Sequence, residues 1–260
     1  MSLDLDAIRD APAVAAALEA LFPGLADAPG GVIHPTAVWR RPQGRHVTIK
    51  ITPDAPKSRH DRFVLNAARA RADAIVTTGK NLREEPDLTA GLLGPPQETG
   101  PIIAWRQTVL RKPEPALIVV LTSGRDIDFA HPIFEGSRTV VFTGHDGGER
   151  LHRDALERGV EMATDAKPSI HRVVEFLRAE VGADVVSIEA GPSTSLELYR
   201  PAVVVDELLL SVFEGADLPP AVRGPDFLPV AKIEGAFTPS PPYRVNEPSG
   251  PWSFQRWVRR

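Results

Sequence analysis

Short apolar runs in this chain alternate with stretches whose apolar residues recur every three or four positions. Residues 11–22 (APAVAAALEALF) carry a helical pattern, broken by Pro23-Gly24 and again by Pro29-Gly30-Gly31. The first good β-branched run is 46–52 (HVTIKIT), ended by Pro53-Asp54-Ala55-Pro56. Ser58 then reads as the N-cap of a helix reaching Arg71, with Phe63, Ala67 and Ala70 on one face. Further strands are expected at 73–78 (DAIVTT), 116–122 (ALIVVLT), 139–143, 184–189 and 205–213 (VDELLLSVF). Helices are expected at 149–158, at 169–181 and after Pro192. Strands alternating with helices predict an α/β domain with a mainly parallel central sheet flanked by helices. Strand-like pieces between prolines in 227–258 predict antiparallel C-terminal additions. Residues 1–44 read as an N-terminal extension packed on a domain of 45–260.

Composition narrows the class. The chain has 260 residues, 42% hydrophobic and 25% charged, with a formal net charge of -4. That balance gives no electrostatic reason to expect nucleic acid or an anionic membrane as partner. No apolar run approaches the roughly 20 residues needed to cross a bilayer. The opening MSLDLDAIRD lacks the basic and apolar regions of a signal peptide, so a cytoplasmic protein is expected. Cysteine is absent, which excludes disulfides, Cys-ligated zinc, iron–sulfur clusters and thiol nucleophiles. The 26 prolines concentrate in 86–115 and 219–251, which are therefore expected as loops or edge segments.

Four places have residues suited to chemistry. In SIEAGPSTSLELYR (187–200) a buried strand ends in Glu189 and passes through Gly191-Pro192 into Ser193, Thr194 and Ser195. This reads either as a well-capped strand–helix turn or as a phosphate cradle, since a helix start offers free N–H groups and a favourable dipole. In Thr77-Thr78-Gly79-Lys80-Asn81-Leu82-Arg83-Glu84-Glu85-Pro86 a polar loop follows a strand's carboxyl end, where open α/β sheets bind ligands. Lys80 and Arg83 suit phosphate there; the alternative is a solvated loop. Thr122-Ser123-Gly124-Arg125 is either a plain turn or a grip on a 2′-phosphate. Asp54 is a candidate acid at the sheet's mouth or a turn former. His145, Asp146, Glu149 and His152 can be drawn as a metal set, but Gly147-Gly148 is expected to break the helix that would align them and no H-E-x-x-H spacing exists, so a solvated turn and helix start is the expected reading. No G-x-S-x-G elbow is present.

Read in order, these stretches resemble the reductase domain of the bifunctional riboflavin-biosynthesis deaminase-reductase family, which has the dihydrofolate-reductase-like fold. Thr52-Pro53-Asp54-Ala55 stands where the family has S-x-D-G. Arg71-Ala72-Asp73-Ala74-Ile75-Val76 matches its R-A-D-A-I, and the run from Gly79 to Thr89 matches G-T-x-x-x-D-D-P-x-L-T. Ile188-Glu189-Ala190-Gly191-Pro192-Ser193 and Val205-Asp206-Glu207-Leu208 match V-E-G-G-P-T and V-D-E-L. The likeness covers roughly 46–215. Lys80 replaces Thr, Glu84 and Glu85 replace Asp, and Ala190 replaces the first glycine; the family's zinc deaminase half is absent. The resemblance implies a reductase that passes hydride from NADPH to a pyrimidine ribosylamine phosphate or a related heterocycle, working as a homodimer. It implies Asp54 and Glu189 as catalytic residues. Gly79, Lys80, Asn81, Ser123, Arg125, Gly191, Pro192, Ser193 and Thr194 would bind the cofactor, and Thr52, Arg83 and Glu85 the substrate. The rival is a nucleotide-binding protein of the same fold without turnover.

Overall fold

The computed structural model describes residues 3–25, 30–41, 44–124 and 127–260. Asp10 and Ser58 open the first two helices as side-chain caps, each accepting the N–H three residues on. The helices are α1 (Ala11–Leu21), α2 (Arg59–Arg71), α3 (Gly79–Glu84), α4 (Pro96–Thr108), α5 (His145–Glu157), α6 (Ile170–Phe176), α7 (Pro192–Ser195) and α8 (Val230–Ala236). The strands of the first half are β1 (Gly31–Arg40), β2 (His46–Ile49), β3 (Ala74–Thr78), β4 (Leu117–Leu121), β5 (Thr139–Gly144) and β6 (Glu161–Asp165). Then come β7 (Val185–Ile188), β8 (Glu207–Phe213), β9 (Arg223–Asp226), β10 (Phe237–Pro239), β11 (Tyr243–Glu247) and β12 (Gly250–Arg259).

All join one sheet, with β8-β1-β7-β3-β4-β5-β6 as its parallel body. Antiparallel β12 continues it beyond β8 and carries β10 and β11. The expected α/β class, the parallel body and the antiparallel C-terminal additions all stand. Alternation along β1 divides the core: Ile33 and Trp39 pack with α1, α2 and α4, while Val32 and Val38 pack with α6 and α8. Strands β3 and β8 are buried throughout, as parallel strands covered on both faces must be.

Several expectations need correction. Residues 31–40, read as part of an extension, form β1, which lies between β7 and β8 inside the sheet. Pro35 hid it, since proline in a central strand removes a ladder donor. The structure resolves the conflict. Val32 gives its N–H to the Asp206 carboxylate and takes the Asp206 N–H on its carbonyl, so it faces β8. Alternation then turns Pro35 to the opposite edge. There β7 makes its last pair at Ile33 and β2 pairs only from Val38 onward, so nothing requires the missing N–H.

The proline-rich 86–115 contains α4, a helix of 13 residues. Pro95 and Pro96 suit a helix start, and buried Ile102 and Trp105 anchor it against α1 and α2 despite Pro101 inside. Likewise α8 lies within 219–251. Gly147 and Gly148 do not break α5 but sit buried in its first turns. A Cβ on Gly148 would meet Thr164 at 2.5 Å, and one on Gly147 would meet the Gly124 Cα at 2.8 Å, so glycine there permits close packing. Finally, β8 is no edge strand, being paired on both sides within the chain by β1 and β12.

Candidate active site

Register places the site. Strands β7 and β2 share one edge of β1 and run toward each other, leaving Pro35, Thr36 and Ala37 half-buried in a central strand. Both chains leave the sheet at this gap: one as Glu189, the other as Lys50, Ile51 and Thr52. Beyond β7 the carboxyl ends of β3 and β4 follow in order, carrying Gly79 and Thr122. Ligands in open α/β sheets bind along such an edge.

Asn81 ties the neighbouring ends together. Its amide donates to the Glu189 carbonyl at 2.9 Å and to Thr77 Oγ1 at 3.3 Å, and its oxygen accepts from Thr78 Oγ1 at 3.1 Å. Gly79, the first residue of α3, lies so close to β4 that a Cβ would meet Thr122 Oγ1 at 2.9 Å. Both residues expected at a cofactor therefore shape the floor of the site.

The carboxylate of Glu189 is held by Arg69 from the last turn of α2. Arg69 Nε lies 3.0 Å from each Glu189 oxygen, and Nη2 lies 2.7 Å from Oε2. The side chains are 4% and 12% exposed. Arg69 Nη1 also donates to the Gly91 carbonyl at 2.5 Å. Burial opposes the charge on Arg69, yet paired Glu189 and neighbouring Glu85 leave the guanidinium above its usual range. Glu85, at the end of α3, has its carboxyl raised, first by burial and then by the charge of Glu189. Its carbonyl accepts from His131 Nε2 at 3.0 Å, and His131 Nδ1 accepts from the Ile133 N–H, which fixes the tautomer.

The other expected residues spread along the edge. Asp54 is exposed in a turn closed by the Ala55 N–H on the Thr52 carbonyl. Thr52 Oγ1 is buried and, among the described residues, has no hydrogen-bond partner. Lys80 and Arg83 are exposed on α3, Lys80 beside Glu84 at 3.7 Å. Ser123 is exposed after β4, and Arg125 lies outside the described residues. At the expected phosphate cradle, Pro192 has no N–H, and Thr194 and Ser195 both spend theirs on the Gly191 carbonyl. Among the described residues, the N–H groups of Ala190, Gly191 and Ser193 have no hydrogen-bond partner, so the free donors lie just before and at the start of α7. Gly191 has φ -57, open to any residue, and a Cβ there would sit 3.4 Å from Asn81 Oδ1.

Sequence reasoning missed Arg69 because it lies inside a helix, outside every loop and motif. Its one signal was an arginine among the alanines of the buried part of α2, where Asn66 and Arg71 are buried as well.

No protein-family model matches the chain, and no curated protein matches it. Solved structures do. A pyrimidine reductase-like protein from Corynebacterium diphtheriae aligns at a TM-score of 0.64 and 18% identity, covering 92% of this chain and 95% of that one. The fold is that of the pyrimidine reductases. RibD from Acinetobacter baumannii aligns at 0.62 and 15% identity over 89% of this chain, which spans 58% of that longer protein. The riboflavin biosynthesis reductase of Saccharomyces cerevisiae aligns at 0.55 and 11% identity, covering 94% of this chain and 97% of the other. On the pyrimidine-reductase fold, the edge from Thr52 through Glu189 to Ser123 is the candidate active site.

Proposed function

We propose that the chain is an NADPH-dependent reductase acting on a ribosylaminopyrimidine phosphate or a related heterocycle. The observation that carries this reading is the clamped Glu189 at the gap in β1, beside three strand ends suited to a dinucleotide, on a fold shared with pyrimidine reductases. The cofactor, when bound, supplies the hydride. Ala190 and Gly191 N–H groups and the Ser193 hydroxyl would hold its pyrophosphate, and Ser123 with Arg125 would hold the 2′-phosphate. Thr52, with its unpartnered buried hydroxyl, Arg83 and Glu85 would hold substrate. Asp54 and Glu189 would orient it or move a proton. Assembly as a homodimer belongs to the same proposal.

Titrating the purified protein with NADPH, then following NADPH absorbance with candidate substrates, tests the reading. The expected result is saturable binding followed by oxidation. Binding without oxidation of any ribosylaminopyrimidine would instead favour a nucleotide-binding protein without turnover. If Ser123 and Arg125 reach the 2′-phosphate, NADPH binds more tightly than NADH, and Arg125→Ala weakens it roughly ten- to a hundredfold, the worth of a charge-assisted contact.

A further inference from the structure

Arg69 spends its donors on two separate segments. Nε and Nη2 take the Glu189 carboxylate at the end of β7, while Nη1 takes the Gly91 carbonyl in the turn that follows α3. Three residues earlier on the same helix, Asn66 holds that segment from its other side, donating to the Leu93 carbonyl at 2.8 Å and accepting the Leu93 N–H at 2.7 Å. Both residues hold this segment, Asn66 at Leu93 and Arg69 at Gly91, but only Arg69 also connects it to Glu189. A buried ion pair is also a poor way to gain stability, since well-packed apolar groups of equal volume serve as well or better. We propose that Arg69 is a positioning residue of the site, fixing the Glu189 carboxylate at the gap in β1 and making it one rigid piece with the turn at 89–91.

The carboxylates at this end are matched by cations: Arg69 faces Glu189 and Glu85, and Glu84 lies beside Lys80 at 3.7 Å.

The inference rests on the reductase reading, and a double-mutant cycle separates the two. For Arg69→Lys, Glu189→Gln, Asn66→Ala and the combination of Glu189→Gln with each of the other two, kcat, the KM for NADPH and melting temperature would be measured on the full chain. If Arg69 acts through Glu189, Arg69→Lys and Glu189→Gln each lower kcat by about tenfold or more with the NADPH KM within about twofold. Their double variant is then no worse than Glu189→Gln within about threefold. Asn66→Ala lowers the melting temperature, and its effect on kcat multiplies with that of Glu189→Gln. Multiplicative losses for Arg69→Lys with Glu189→Gln would overturn the proposal. A parent protein that oxidises no NADPH overturns the reductase reading itself, a different result. If Arg69→Lys does not fold, hydrogen exchange on Glu189→Gln decides: faster exchange across 86–94 supports the tie, and unchanged protection overturns it.

Discussion

At the scale of single residues, many positions that carried the family resemblance turn out to hold the sheet rather than the ligand. Asp73 receives the Asp184 and Val185 N–H groups at the start of β7, and Asp206 receives the Val32 N–H. Glu207 lies buried between Arg71 at 2.8 Å and Arg256 at 2.7 Å, joining α2, β8 and β12. Glu207→Gln leaves two buried guanidiniums short of an acceptor. It is expected to cost about 3–5 kcal/mol in denaturant unfolding while cofactor affinity in the folded protein stays unchanged. At the phosphate end the two neighbouring substitutions should differ. Gly191→Val crowds the Asn81 amide and the unpartnered N–H groups, and should lose several kcal/mol of NADPH affinity. Ser193→Ala removes a single hydroxyl and should lose about 1 kcal/mol. Melting curves with and without NADPH check both; a Gly191→Val protein stabilised by NADPH as much as its parent would exclude the cradle.

At the scale of elements, α2 is the spine of the site. Ser58 caps its first turn, Arg106 takes the Ala70 and Ala72 carbonyls at its far end, and Asn66 from its middle and Arg69 from its last turn reach to the loops. The turn after β4 depends instead on glycine. Gly124 has φ +75, and a Cβ there would sit 2.2 Å from the Gly147 Cα in α5. Gly44 has φ +78 with open space around it. Gly44→Ala should therefore cost only the backbone penalty, about 1–2 kcal/mol. Gly124→Ala should cost clearly more and shift the loop bearing Ser123. Equal losses in urea unfolding would show that the close approach of β4 and α5 carries no weight.

For the whole molecule, acid should unfold it earlier than its carboxylates alone require. Burial lowers His34 to about 4 from 6.5, its ring hydrogen-bonded to Tyr199 at 2.6 Å, and His46 is lowered to about 4 by burial and by Arg40. Between those values the unfolded chain binds protons that the folded one refuses, so stability falls as pH drops below about 6.5. For His34 alone the loss approaches roughly 3 kcal/mol near pH 4, at about 1.4 kcal/mol per pKa unit. His34→Gln should flatten this slope in urea titrations between pH 4 and 6.5.

Local sequence determined whatever depends on neighbouring residues. Periodicity located β3, β4, β5 and β8, a hydroxyl followed by an apolar face located α2, and a strand-to-glycine transition marked the turn at 191, but 79–84, read as a polar loop, forms α3, with the Thr78 hydroxyl as its cap. Tertiary structure decided what depends on partners far along the chain. Pro35 argued against a strand until the gap between β7 and β2 made its missing N–H harmless. Pro101 argued against a helix until Ile102 and Trp105 found α1 and α2. The cradle's free donors stop at Ser193 because Gly191 accepts from both Thr194 and Ser195. Arg69 and Glu189 stand 120 residues apart in sequence. An arginine inside a helix gives no sign of its partner, because burial and pairing arise only when α2 is laid across the end of β7.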